Sequence, residues 1–173
     1  MELNNEQIMY WTRINHELWN VCIAATKDGL CYVGSQNKGF QELEDWVKTR
    51  RPNYSLKEDA GKLKPFAIEL TQYLQGQLRE FSYPIYLQGT PFQMSVWKAL
   101  QEVPFGNTVS YSEIAKRINK PKSVRAVGTA IGANPILITV PCHRVVAKSG
   151  ALTGYRGGLE MKQQLLALEG KGI

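Results

Sequence analysis

The sequence predicts an α+β fold, with a small α/β domain over residues 1–88 and a mostly helical domain over residues 89–173. β-rich runs and a strong turn signal lie before residue 35, whereas apolar residues recur at helical spacing from Phe92 onward. The charge changes near the same boundary: residues 1–89 hold 10 Lys/Arg and 11 Asp/Glu, a net charge of −1, and residues 90–173 hold 11 and 4, a net charge of +7. A chain of 173 residues is long enough to bury a core in each part.

The N-terminal part begins with a predicted β-hairpin. Leu18–Ala25 and Leu30–Gly34 are rich in β-forming residues, and Asp28-Gly29 between them is a pair typical of two-residue hairpin turns. Two amphipathic helices follow, over residues 40–49 and 63–78, and a polar link that contains Pro52 separates them. A linker or edge strand is predicted over residues 82–87.

The C-terminal part is predicted to contain two short helices joined by a tight turn. After a helix over residues 92–103, Ser110 begins the next helix, with Glu113 at the spacing of a reciprocal capping box. Pro121 suits the first position of a further helix, which ends near Ala133. Two helices connected in this way form a helix-turn-helix.

The second helix of this pair has one apolar face and one basic face built from small side chains. The apolar face comprises Val124, Val127, Gly128 and Ile131, and the basic face comprises Lys122, Arg125, Ala126, Thr129 and Ala133. Small side chains allow close approach to a duplex, and the C-terminal excess of positive charge favours a polyanion such as nucleic acid. An amphipathic surface helix with an incidental Lys and Arg is the alternative.

Cys142 is the candidate nucleophile. It follows the apolar run Ile136–Val140 and is flanked by His143 and Arg144. A thiol reacts as the thiolate, whose formation is favoured by nearby cations and hydrogen-bond donors. Because adjacent side chains usually point apart, we expect His143 to act through a bridging water. A buried, inert cysteine is the alternative.

Two further features support a reactive Cys142. Four glycines between residues 149 and 158 leave backbone amides open to a flat ligand. Glu169 lies on the apolar side of the last predicted helix, where a carboxylate needs a partner. His143 is the candidate partner, which would complete a relay from Cys142 through water and His143 to Glu169.

Pro141-Cys142-His143-Arg144-Val145 resembles the active-site motif of the O6-alkylguanine-DNA alkyltransferases, which transfer an alkyl group from a damaged base to their own cysteine. Further motifs of this family occur in the family's order: Phe92-Gln93-x-x-Val96-Trp97-x-x-Leu100, Val103-Pro104-x-Gly106, Ser110-Tyr111, Arg125-Ala126-Val127-Gly128, Asn134-Pro135, Gly154-Tyr155-x-Gly157-Gly158-Leu159 and Leu165-Leu166-Ala167-x-Glu169-Gly170. The resemblance implies a ribonuclease-H-like N-terminal domain and a winged-helix-like C-terminal domain.

The resemblance also implies catalytic roles. Cys142 would accept the alkyl group, His143 would activate it through water, and Glu169 would orient His143. Asn134 would brace the turn that holds the Cys142 segment. Tyr111 would help to rotate the phosphate and donate a proton to the guanine ring as it leaves.

DNA and the damaged base would contact a second set of residues. Arg125 would fill the space left by a flipped nucleotide, with its helix in the minor groove of double-stranded DNA. The other DNA-binding residues implied are Lys122, Ser123, Ala126, Thr129 and Ala130, and the pocket residues implied are Trp97, Val145, Tyr155 and Arg156. The Arg156 amide would meet O6, and the carbonyls of Cys142 and Val145 would accept from the exocyclic amine. The Arg156 side chain, where relatives often carry a small residue, would contact phosphate or narrow the pocket.

The resemblance therefore implies single-turnover repair of O6-alkylguanine, and of O4-alkylthymine, by a monomer that needs no metal or organic cofactor. Some relatives bind zinc in the N-terminal domain, but here only Cys22, Cys31 and His16 are available there, and we assign both cysteines to the hairpin core. Two other functions stay open: a non-catalytic lesion sensor, of a kind that replaces the motif cysteine, and a cysteine hydrolase.

Composition bounds the location. The sequence has no apolar run of 18 residues, and its first residues are acidic and polar rather than basic and apolar. Three cysteines are an odd number for a disulfide framework. We therefore expect a cytoplasmic protein with no membrane partner.

Overall fold

The computed structural model describes residues 7–170 and divides into two compact units, one ending at Tyr86 and the other beginning at Leu87. The first unit holds a four-stranded sheet and two helices, and the second is mainly helical. The predicted α+β fold class is confirmed. Within residues 7–170, no helix has the length and apolar character needed to cross a membrane.

The sheet of the first unit has the strand order β3-β2-β1-β4. Its strands are β1 (Gln7–His16), β2 (Trp19–Thr26), β3 (Gly29–Val33) and β4 (Tyr54–Glu58). The predicted hairpin is confirmed as β2 and β3, which pair antiparallel, as do β1 and β2. Cys22 and Cys31 are free and buried in the core beneath this sheet, as predicted.

Strand β4 corrects the prediction of a polar link. It pairs in parallel with β1 at the edge of the sheet, and none of its residues is fully buried. Because an edge strand with little buried surface lacks the apolar alternation of a central strand, its composition resembled a loop.

Two helices pack on this sheet, α1 (Gly39–Arg50) and α2 (Ala60–Leu74). Helix α1 matches its prediction, but α2 is shifted from the predicted 63–78. Asp59 begins it by accepting a hydrogen bond from Lys62 N at 3.0 Å. It ends because Gly76, at φ +76°, allows the Gly76 and Gln77 amides to turn back to Tyr73 and Gln72. Residues 82–87 run beside β3, where Leu30 N donates to Pro84 O and Tyr86 N to Leu30 O.

The second unit begins with α3 (Pro91–Gln101), two residues shorter at its C-terminal end than predicted. A capping box between Thr90 and Gln93 starts it. Its Trp97 is buried, and the Trp97 indole Nε1 donates to Ala130 O at 2.9 Å. This hydrogen bond connects α3 to the second helix of the predicted helix-turn-helix.

The helix-turn-helix consists of α4 (Tyr111–Arg117) and α5 (Val124–Gly132). Ser110 caps α4 as predicted, by accepting from Glu113 N at 3.1 Å. The reciprocal half of the capping box is wrong, because the Glu113 carboxylate lies 3.4 Å from Arg117 Nε instead. Asn119, at φ +59°, makes the tight break.

Pro121 is not the first residue of α5, which corrects the prediction. It lies in the turn between the helices, where Ser123 N donates to Lys120 O, and α5 begins only at Val124. A proline shortly after a helix C-terminus prevents that helix from continuing, and this is its role here.

The remaining elements of the second unit surround the cysteine motif. A two-stranded parallel sheet joins β5 (Val109–Ser110) to β6 (Val145–Val146). One turn of 3-10 helix, Cys142–Arg144, precedes β6, and α6 (Leu159–Leu168) follows the glycine-rich loop. The loop and α6 thus follow the cysteine motif directly in the chain.

Candidate active site

Cys142 lies at the end of a buried turn. Ile136, Leu137, Ile138 and Val140 are buried, and Cys142 is 2% exposed. Ile138 adopts φ +68°, a conformation that β-branched residues rarely take. The turn before the thiol is therefore a strained backbone that its surroundings must hold.

Asn134 holds this turn. Its Nδ2 donates to Val140 O at 2.9 Å and to Cys142 Sγ at 3.2 Å, and its Oδ1 accepts from Ile136 N at 2.9 Å. The side chain is completely buried. A donor aimed at sulfur favours the thiolate over the thiol, so Asn134 both shapes the turn and acts on the sulfur.

His143 and Glu169 form a buried pair. His143 Nε2 lies 2.8 Å from Glu169 Oε2, and both side chains are excluded from solvent. Burial lowers the pKa of His143 against the opposing effect of Glu169, so the ring is neutral. Because the carboxylate accepts, Nε2 carries the proton and Nδ1 presents a lone pair, which has no hydrogen-bond partner among the described residues.

Arg144 completes the pair as a buried triad, which sequence reasoning missed. Its Nε and Nη2 donate to the two oxygens of Glu169 at 2.9 Å each, and its Nη1 donates to Val103 O at 2.6 Å. A bidentate guanidinium keeps Glu169 ionised and fixed. Arg144 is close to Cys142 in the sequence, but nothing in the sequence indicates that its side chain binds Glu169.

The resting thiol of Cys142 is protonated. Burial raises its pKa, and the Asn134 hydrogen bond and the charges of Arg156 and Lys162 only partly oppose this. The sequence indicated nearby cations and hydrogen-bond donors that lower the pKa of the thiol, whereas in the structure desolvation has the larger effect. Transfer of the thiol proton to a base is therefore part of the chemistry, and the Nδ1 lone pair of His143 is the candidate acceptor.

The glycine-rich loop contacts the site through side chains that sequence reasoning did not anticipate. Lys162, fully buried on α6, donates from Nζ to Val145 O at 2.6 Å and to Thr153 O at 3.0 Å. Tyr111 OH lies 2.8 Å from Thr153 Oγ1. Arg156 donates from Nε to Asn134 O at 3.1 Å and from Nη2 to Pro135 O at 3.2 Å. The Arg156 side chain thus binds backbone carbonyls beside the site, and its contact with phosphate or its narrowing of the pocket stays a prediction.

The helix α5 presents most of the expected DNA-facing residues outward. Lys122, Arg125, Ala126 and Thr129 are exposed and Ser123 is half-buried. Ala130 is a correction: it is 3% exposed, because it faces α3, where its carbonyl accepts from Trp97. Val124, assigned to the apolar face, is 36% exposed.

The expected pocket residues occupy different environments. Val145 and Trp97 are buried, whereas Tyr155 and Arg156 are half-buried in the loop. The indole N–H of Trp97 already donates to Ala130 O, so it is not available to donate to a nucleobase. Across residues 7–170, no three His, Cys, Asp or Glu side chains are grouped to hold a metal ion.

Comparison with known proteins identifies the family. A model described as "6-O-methylguanine DNA methyltransferase, DNA binding domain" matches residues 91–171, and one described as "6-O-methylguanine DNA methyltransferase, ribonuclease-like domain" matches residues 9–87. The inducible methylated-DNA–protein-cysteine methyltransferase of Bacillus subtilis is 56% identical over 95% of this chain and 92% of its own length. The enzyme of that name from Methanosarcina acetivorans is 41% identical over 94% of this chain and 99% of its own.

Solved structures of similar fold belong to the same family as these sequence relatives. The O6-methylguanine methyltransferase of Mycobacterium tuberculosis matches with a TM-score of 0.80 and 37% identity, covering 93% of this chain and 92% of that one. The M. tuberculosis OGT in complex with DNA matches with a TM-score of 0.78 and 36% identity over 94% of each chain. The resemblance seen in the sequence is thus confirmed over both units, and the chain belongs to the 6-O-methylguanine DNA methyltransferase family.

Proposed function

We propose that this protein repairs DNA by transferring the methyl group of O6-methylguanine to the sulfur of Cys142. The observation that carries the proposal is the arrangement around that thiol. Asn134 Nδ2 donates to Sγ at 3.2 Å, and the adjacent His143 is fixed by Glu169 at 2.8 Å. Both lie in the unit that matches the DNA-binding family model.

The reaction follows from the state of each group. His143 takes the thiol proton at Nδ1 through a bridging water, and Glu169 stabilises the imidazolium that forms. The thiolate then attacks the methyl carbon, forming the C–S bond as the bond from carbon to O6 breaks. The electron pair returns to the guanine ring, which takes a proton from Tyr111 OH as it leaves.

A thioether on Cys142 has no route back to a thiol. The Cys142 thiolate is a poor leaving group from a methyl carbon, and the thioether carries no proton for His143 to remove. Each protein molecule therefore repairs one base and is then spent. Since the methyl carbon is the electrophile and the thiolate the nucleophile, the transfer needs no additional group.

DNA would bind through α5 in the minor groove. Arg125, Lys122, Ala126 and Thr129 are exposed on that helix or just before it, and Ser123 is half-buried at its start. The +7 charge of residues 90–173 favours phosphate contacts in general, so affinity should fall with salt. Because O6 lies at the major-groove edge of the duplex and Cys142 is buried in the protein, the base must be flipped out to reach the thiol, and Arg125 would fill the gap.

The flipped base would meet backbone groups. The amide of Arg156 would donate to O6, and the carbonyls of Cys142 and Val145 would accept from the exocyclic amine. The Val145 carbonyl already accepts from Lys162, which fixes its direction. O4-alkylthymine presents a similar alkoxy carbon and would be a second substrate. A monomeric state and a cytoplasmic location stay predictions from the sequence.

The test is a titration of an oligonucleotide that carries one O6-methylguanine. Loss of the lesion should rise linearly with added protein and stop at one equivalent, and Cys142→Ala should repair nothing. Tight lesion binding without loss of the methyl group would indicate a sensor. Repair that continues beyond one equivalent would indicate a hydrolase-like turnover and would contradict the proposal.

A further inference from the structure

Lys162 is an unusual lysine. Its side chain is completely buried, yet in the part of the chain that the structure describes no carboxylate pairs with it. It also lies in the first turns of α6, where the helix dipole disfavours positive charge. Burial of an ammonium group without a carboxylate partner lowers the stability of the folded protein. A function for this charge would explain why the lysine is buried.

The two acceptors of Lys162 belong to two different segments of the chain. Val145 follows Cys142 by three residues, and Thr153 belongs to residues 147–158, which we call the pocket loop. The ammonium therefore fastens the pocket loop to the chain that leaves Cys142.

Arg156 makes the matching connection on the other flank. Its guanidinium runs from the pocket loop to the carbonyls of Asn134 and Pro135, which begin the turn that leads to Cys142. Backbone hydrogen bonds such as Ala147 N to Ala151 O and Gly158 N to Tyr155 O only close the loop on itself. Side chains thus provide cross-links between the loop and both flanks of the thiol.

The same two cations are the charges that act on the sulfur. Burial raises the pKa of Cys142, and the charges of Arg156 and Lys162 oppose this rise. Burial likewise lowers the pKa of Lys162, and the charge of the Cys142 thiolate opposes that fall. Burial lowers the pKa of His143 against the effect of Glu169, and the charges of Arg144 and Lys162 lower it further. The charge of Glu169 is engaged by Arg144 and His143, so it does not neutralise the two cations.

We propose that Lys162 and Arg156 form a pair of positioning residues that clamp the pocket loop against both flanks of Cys142 and supply the positive charge that the reacting sulfur requires. The inference rests on Cys142 as the methyl acceptor. The sulfur is neutral as the resting thiol and again as the thioether, so the two cations act on the thiolate that exists between these states.

The experiment measures the single-turnover rate of methyl transfer against pH, with protein at saturating excess over an O6-methylguanine duplex. Lys162→Met keeps the apolar stem and removes the charge. We expect its rate at pH 7 to fall about tenfold and the midpoint of its pH profile to rise by about one unit, so that its rate approaches that of the wild type at high pH. Lys148→Met is the control, because Lys148 is an exposed lysine of the pocket loop, and the midpoint of this variant should not move.

Arg156 separates charge from geometry. Arg156→Lys keeps the charge but loses the planar fork, so its rate should fall at every pH while the midpoint stays. Arg156→Gln should lower the rate and raise the midpoint. Circular dichroism shows whether Lys162→Met folds. If it does not, the two Arg156 variants, at a half-buried position, still test whether the pair supplies positive charge to the sulfur.

Two results would overturn the inference. A uniform loss of rate in Lys162→Met or Arg156→Gln, with an unmoved midpoint, would reduce the pair to structural supports. Wild-type rates in either variant would remove it altogether. The wild type is tested separately by mapping the methyl group to the Cys142 peptide: its absence there would refute the proposed function, whatever the variants do.

Discussion

Glu169→Gln tests the buried triad most sharply. The substitution keeps the shape of the side chain but removes the charge that Arg144 meets at 2.9 Å and replaces one oxygen by an NH2 donor. That donor faces either the Nε2–H of His143 or an N–H of Arg144, and the guanidinium is left buried without its counter-charge.

The cost in stability follows from the loss of one partner of a buried ion pair, about 3 kcal/mol. For a chain of this size this corresponds to a fall in Tm on the order of 10 °C. The rate of methyl transfer should fall by about tenfold or more, since a general base contributes roughly a hundredfold or more and depends on its orienting partner. The pH midpoint of the reaction should rise, because an imidazolium without Glu169 is less stable.

The assay combines thermal unfolding with single-turnover transfer from pH 6 to 9, both run beside Glu160→Gln. Glu160 is an exposed carboxylate in the first turn of the same helix, so its substitution should leave the rate unchanged. A Glu169→Gln protein with the wild-type Tm and an unchanged pH profile would refute both the stabilising and the orienting roles of this carboxylate.

Three further predictions concern Arg125, Asn134 and His143 of the second unit. Arg125→Ala should impair repair in a duplex much more than reaction with a free O6-alkylguanine base, and equal losses on both substrates would remove its role in base flipping. Asn134→Ala should raise the pH midpoint of transfer, because Cys142 Sγ loses its donor. It should also lower the free energy of unfolding by about 2 kcal/mol, because Val140 O and Ile136 N lose buried partners. An unmoved midpoint would show that the contact with sulfur does not affect the thiol. The lowered pKa of His143 means that the unfolded chain binds more protons, so stability should fall as pH drops below about 6.5; His143→Gln should flatten this dependence in urea titrations at pH 5 and 7, and a steep dependence that persists would assign it to other groups.

Local chemistry explains which elements were predictable. Asp28-Gly29 specifies the hairpin because the turn needs a positive φ, +137° at residue 29, which glycine adopts at no steric cost. Ser110 caps α4 within three residues of its partner, and Asn119 ends that helix by its own conformation. Where the determinants of an element lie within a few residues, the sequence alone reveals it.

The errors arise where distant contacts decide the structure. Strand β4 depends on its pairing with β1, and the carbonyl of Ala130 accepts from Trp97 of α3, 33 residues away in the chain. Residue type suggests an exposed Lys162, since lysine is almost never fully buried, and nothing in its neighbours announces the carbonyls it reaches. The motif around Cys142 identified the reacting residues, whereas the dominance of burial over the thiol pKa needed the three-dimensional environment.

The most direct measurement is the intact mass of the protein after incubation with a duplex that carries one O6-methylguanine, followed by peptide mapping. The wild type should gain a single methyl group, located on the peptide that contains Cys142, and Cys142→Ala should gain none. Cys22 and Cys31, buried in the other unit, should stay unmodified. An unchanged mass with the lesion still present, or a methyl group on any other residue, would contradict the assignment of Cys142 as the acceptor.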